Sequence, residues 1–164
     1  MGNASSALSN AIRLGTVAEV DLATARCRVQ VGEMLTDYLP WVVTLAGTTI
    51  IWSAPAIDEQ VVVLSPAGDL ADGVVLRGMY SDQFAAPAAS DTLHVLRFAD
   101  GAQIHYDTEA HALQATLPSG GTASITADGG ITLNGPLTVN GKTMLNGDAT
   151  ITGTAKATTD VIGG

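Results

Sequence analysis

Ile131-Thr132-Leu133-Asn134-Gly135-Pro136, Leu137-Thr138-Val139-Asn140-Gly141-Lys142, Thr143-Met144-Leu145-Asn146-Gly147-Asp148 and Ala149-Thr150-Ile151-Thr152-Gly153-Thr154 follow one another without interruption. Each unit is six residues long, with Gly135, Gly141, Gly147 and Gly153 in its fifth place and Leu133, Val139, Leu145 and Ile151 in its third. The pattern implies a short strand, a bend at a glycine free to take positive φ, and another short strand.

Such a segment offers only one or two apolar side chains per bend, and no Phe, Trp or Tyr follows Tyr106. A single copy cannot bury a core with so little. It could coil on itself as a left-handed hexapeptide β-helix, or three copies could wind together, each supplying one wall of a prism. The first needs about three six-residue walls per coil, so four or five hexads make fewer than two coils, below what stacking requires. The count favours an intertwined homotrimer, a triple-stranded β-helix over 131–164. Its core would be Ile131, Leu133, Leu137, Val139, Leu145 and Ile151, and its bends Gly135, Gly141, Gly147 and Gly153.

Working back from the repeat, 92–130 reads as a β-hairpin transition region. The runs 93–98 and 102–107 flank Ala99-Asp100-Gly101, a strong hairpin signal, and a third strand over 112–117 ends at Pro118-Ser119-Gly120-Gly121. Residues 81–91, with Pro87 among four alanines, read as a linker. Residues 14–80 read as five short strands, at 16–20, 26–31, 39–45, 60–64 and 73–79, which suit a Greek-key barrel of the OB type. Its expected core is Val17, Val29, Val31, Trp41, Val43, Trp52, Val61, Val63, Val75 and Leu76. Residues 1–13 form a small, polar tail whose first six fit the myristoylation pattern, with Gly2 and Ser6 in place. The expected fold is therefore all-β: an N-terminal OB-type barrel followed by a trimeric β-prism.

Composition narrows the function. The chain has 164 residues and 16.7 kDa, room for one ordinary domain or two small ones. Seven basic against sixteen acidic residues give a net charge of −9, which argues against nucleic acid or an anionic membrane surface as a ligand. The N-terminus has neither the charged nor the apolar region of a secretory signal. The single cysteine, Cys27, stands between Arg26 and Arg28, which would favour a thiolate, but its strand-like setting points to a half-buried small hydrophobe.

The order of several short pieces resembles the baseplate assembly protein V, or central membrane-piercing spike, family of contractile phage tails and R-type tail-like bacteriocins. The pieces are Arg13-Leu14-Gly15-Thr16-Val17, Leu39-Pro40-Trp41, Trp52-Ser53-Ala54-Pro55, 58–66, Gly68-Asp69, 73–78, and Asp100-Gly101 with Ile104-His105-Tyr106-Asp107 before the first hexad. Together they span about 12–160. The resemblance implies a homotrimeric spike that docks on the baseplate hub at the end of the tail tube and pierces the target's outer membrane when the sheath contracts. It also implies assembly in the bacterial cytoplasm followed by release in a phage tail or tail-like particle. Spikes of this family commonly end in a tip where a His-x-His motif from each of three chains encloses iron. No histidine follows His111 here, so no cofactor is expected in this chain, and Val161-Ile162-Gly163-Gly164 looks like a cut before a tip or a variant capped by another protein.

No enzyme chemistry stands out. His94, His105 and His111 lack metal-ligand spacing. Asp58 with Glu59, and Asp69 with Asp72, lie in turns with no His, Lys or Arg expected around them. A hexapeptide-repeat acyltransferase rests on the period alone, with too few coils and no histidine in the repeat for a general base. An OB-type oligosaccharide-binding module would need Trp41 and Trp52 as stacking platforms, whereas both are expected in the core.

Overall fold

A computed structural model describes residues 11–158, and the myristoylation pattern, most of the expected tail and the C-terminal 159–164 lie outside them. The architecture is all-β, with no α-helix among the described residues. Contacts divide the chain into two units, Met1–Gly121 and Thr122–Gly164, a division that falls within the stretch read as transition region.

The first unit opens with a barrel. Strands β1 (Ile12–Asp21), β2 (Arg26–Val31), β3 (Met34–Leu35), β4 (Leu39–Pro40), β5 (Gln60–Leu64) and β6 (Val74–Leu76) form one sheet. β1 begins two residues inside the stretch expected as tail. It pairs antiparallel with β2 on one side and β5 on the other, β2 with β4, and β5 with β6. The bridge from Trp41 to Val75, with the Val42 amide donating to the Val75 carbonyl at 2.8 Å, closes the sheet on itself. Closure removes the free edges that would invite another strand.

Period-two alternation fills the barrel. In β2 the side chains of Cys27, Val29 and Val31 point inward, and in β5 those of Val61 and Val63. With Val17, Leu39 and Val75 they make a fully buried cluster, flanked by Val20, Trp41 and Leu70. Gly15 allows the close crossing of β1 over β2, because a Cβ there would stand 2.4 Å from Val29 Cγ1 and 2.7 Å from the Gln30 carbonyl. The one buried hydroxyl at the β3–β4 end is satisfied: Thr36 Oγ1 accepts from the Val29 amide and donates to the Asp37 carbonyl.

Four core expectations need correction. Trp52 is 60% exposed and Leu76 41% exposed, while Trp41 and Val43 are only partly buried. The run 39–45 forms a strand only at Leu39–Pro40, and 41–59 becomes a long loop, so Trp52 lies on the surface with its ring centroid 5.7 Å from that of Trp41. Leu76 falls on the outward phase of β6, next to inward Val75. Leu39 and Cys27 take the interior places instead.

A three-stranded antiparallel meander follows: β7 (Leu93–Arg97), β8 (Gln103–Asp107) and β9 (Ala112–Thr116). Its first turn is the Asp-Gly hairpin. Phe98 N–H donates to the Ala102 carbonyl, Asp100 Oδ1 accepts from the Ala102 amide, and Gly101 takes φ +90. At the second turn Asp107 Oδ1 accepts from the amides of Glu109 and Ala110, and His111 sits at φ +51.

In the second unit no residue of 122–158 is in a strand within this single chain.

Candidate functional site

The repeat is where sequence and structure diverge most from an ordinary domain. Ile131, Leu133, Leu137, Val139, Leu145 and Ile151 are all exposed in the single chain, Leu133 at 66%. Every described residue from 122 to 158 is exposed. The glycines carry the bends unevenly: φ is +132 at Gly135, +157 at Gly141 and +158 at Gly147, whereas Gly153 is not among the positive-φ residues. An apolar series this long without cover is unusual for a folded monomer and marks an interaction surface.

The barrel carries a polar clasp that the sequence did not announce. Arg77, just after β6, donates from Nε to Glu59 Oε1 at 2.8 Å and from Nη2 to Glu59 Oε2 at 2.9 Å. The same guanidinium reaches the carbonyls of Ser53 and Ala54, and Glu59 Oε2 also accepts from the Ala56 amide. Glu59 therefore does have an arginine arranged around it, contrary to the expectation for the Asp58–Glu59 pair. With both oxygens engaged, Glu59 fastens the loop. The residues are eighteen apart in sequence and meet only because β5 and β6 pair, so no local pattern signals them.

The remaining candidates are dispersed. Asp69 accepts from the Ala71 amide as a cap of a single 3-10 turn, and Asp72 lies in that turn. His94 pairs with Tyr106 and His105 with Val95, so the two imidazoles project from opposite faces of the meander. His111 occupies the β8–β9 turn. Among the described residues no three His, Cys, Asp or Glu side chains gather in a way that could hold a metal. Cys27 is fully buried, and desolvation pushes its thiol up to about 11 against the lowering effect of the Arg77 charge. On the outer face of β1 and β2, Glu19 accepts from the Tyr38 hydroxyl at 2.8 Å and pairs with Arg28, whose guanidinium lies 5.6 Å from the Tyr38 ring centre. Glu19 raises the Tyr38 pKa, because the phenol's proton is the one it holds.

The barrel's own residues match a known family: 13–80 fit the model described as Type VI secretion system/phage-baseplate injector OB domain. The chain is also 47% identical over 124 residues to the "Spike protein" of Escherichia phage P2, an overlap covering 75% of this chain and 57% of that relative. The barrel is thus similar to a phage-baseplate injector OB domain, and the overlap as a whole is similar to a phage spike protein. It spans a little over half the length of that curated relative. Within the injector OB domain, β1 through β6 supply the barrel and the Arg77–Glu59 clasp fastens its longest loop. The injector OB-domain match ends at Tyr80, whereas the 124-residue overlap with the phage P2 spike protein extends beyond the barrel.

Proposed function

We propose that this chain is a structural central spike of a contractile phage tail or tail-like bacteriocin, acting as a homotrimer and not as an enzyme. The observation that carries the reading is the repeat: a single chain leaves Leu133, Val139, Leu145 and Ile151 exposed in one phase, with no strand partner of its own over 122–158. Two further copies would supply both the missing core and the missing backbone hydrogen bonds. Similarity to a phage spike protein supports the same role.

In this reading the barrel docks on the baseplate hub and the repeat forms the rod that crosses the target's outer membrane on sheath contraction. A prism whose backbone groups are paired between chains has few loops to bend under axial load. Over 131–158 the only charged residues are Lys142, Asp148 and Lys156, which suits passage through a lipid layer without binding it. No described helix is long and apolar enough to cross a membrane. The protein would assemble in the bacterial cytoplasm and leave it in the particle.

Light scattering combined with small-angle X-ray scattering on the purified full-length protein tests this. An elongated trimer that resists detergent is expected. A compact monomer overturns the reading.

A further inference from the structure

The chain has five asparagines, and three of them, Asn134, Asn140 and Asn146, each precede the glycine of a hexad. The other two, Asn3 and Asn10, precede alanine. All three Asn-Gly pairs are exposed in the single chain, and no atom lies within 4 Å of where a Cβ would stand on Gly135, Gly141 or Gly147. The three pairs are therefore open to solvent in the single chain. We propose that Asn134, Asn140 and Asn146 are self-modification sites that convert to aspartate and isoaspartate in the unassembled protein and are protected on assembly. The assembly half of the proposal rests on the trimeric reading above.

The chemistry needs only water. At the middle site the Gly141 backbone nitrogen gives up its proton to solvent base and attacks Asn140 Cγ. A new C–N bond closes a five-membered imide, and the bond from Cγ to Nδ2 breaks to release ammonia, which carries off a proton. Water then adds to either imide carbonyl and breaks one of its two C–N bonds. One cleavage leaves aspartate, and the other leaves isoaspartate with one more methylene in the main chain. No group is oxidised or reduced.

Assembly would control the rate because the attack requires the glycine nitrogen to be free and the backbone to rotate. In an intertwined prism both are held, and reaction waits on local opening. The products are also incompatible with the rod. An isoaspartate breaks the six-residue spacing, and each conversion adds a negative charge to a stretch that carries only two lysines and one aspartate over 131–158. In a three-chain assembly the new charges would stand in like-charged sets. Conversion thus marks chains that failed to find partners and keeps them out of later assembly.

The test uses the full-length protein in mildly alkaline buffer. The assembled wild type, a Leu137→Asp variant that removes one repeat core residue without touching an Asn-Gly pair, and wild type unfolded in urea are incubated together. Light scattering records the mass of each, and peptide mass spectrometry reads conversion at each asparagine. Conversion at 134, 140 and 146 in the variant and in urea should run at least about tenfold faster than at Asn10, and at least about tenfold faster than in the assembled wild type. Rates equal to that of Asn10 in the unfolded protein overturn the sites. Equal rates in trimer and variant overturn protection by assembly while leaving the trimer intact. A monomeric wild type in light scattering overturns the trimeric reading itself, and with it the protection, whatever the asparagines do.

Discussion

Arg77 and Glu59 meet in a two-pronged ion pair at the mouth of the barrel, with both side chains largely buried. The pair joins the strand end after β6 to the residue before β5, and through Ser53 and Ala54 it also ties down the second half of the 41–59 loop. Removing one partner strands the other charge. Arg77→Ala should lower barrel stability by about 2 to 3 kcal/mol, somewhat below the value for a fully buried pair because some solvent reaches both groups. Arg77→Lys should recover less than half, since an ammonium cannot span two carboxylate oxygens and two carbonyls at once. Urea unfolding followed by the fluorescence of Trp41 and Trp52 measures this, and a loss below about 0.5 kcal/mol would mean the loop is held by other contacts.

Cys27 gives a second test. With its thiol fully buried and pushed up to about 11, it should ignore thiol reagents at neutral pH and react at once in denaturant. The same shift sets an alkaline limit. The unfolded thiol ionises near its ordinary value of 9.0 while the folded one stays neutral, so the unfolded state binds fewer protons and stability falls as pH rises from there toward 11. Cys27→Ala should flatten that limb of the pH–stability curve, at the cost of a small cavity. An unchanged limb would assign the alkaline loss to another group.

How much of this was legible in the sequence depended on the kind of pattern involved. β2 has the bounds read from alternation and β5 those read from its apolar run, and the Asp-Gly hairpin sits where its turn chemistry put it. The run 39–45 misled, because continuous apolar residues fit a buried strand and an apolar loop equally well. The chain leaves the sheet at Trp41, once that residue has made the closing bridge, and Trp52 is carried outside with the loop. The Arg77–Glu59 clasp was invisible because it depends on strand pairing rather than spacing. The repeat is the reverse case: its period is plain in the sequence, while the partner that would cover Leu133 and Val139 is not part of one chain.

The β8–β9 turn should set an acid limit. The Ala110 and Glu109 amides that donate to Asp107 hold its carboxyl below the usual value of 3.8. A depressed folded pKa contributes stability that is present above the unfolded value and is lost as pH falls through the folded one. Asp107→Asn, which removes the titrating charge, should therefore differ most from wild type above pH 3.8 and converge with it in stronger acid. A constant gap down to the lowest pH would show that the turn is indifferent to this charge.

Val139 tests the phase of the repeat. In a three-chain prism with Leu133, Val139, Leu145 and Ile151 inside, Val139→Asp would bury three like charges near one axis, a severe penalty. The variant should run as a monomer, or unfold over the repeat, while the barrel keeps its Trp41–Trp52 fluorescence. If Val139→Asp still forms a stable trimer, the third place of the hexad faces solvent and another place, such as that of Ile131 and Leu137, forms the core.

Metal content is the last expectation. Three frayed chain ends can be fixed by one ion when each brings paired imidazoles, because the metal replaces three weak contacts by six coordinate bonds. From Met1 to Gly164 this chain has no such pair: His94 and His105 project from opposite faces of the meander, and His111 sits in a tight turn after β8. A shared site would have to be built from one imidazole per protomer, with neighbours that are Tyr106, Val95 and Gln114 rather than further ligands. The purified protein should therefore hold neither iron nor zinc in stoichiometric amount after dialysis against a chelator. Elemental analysis decides it. About one tightly held iron per three protomers would assign ligation to one of these histidines, and substituting each in turn by Gln would then identify which.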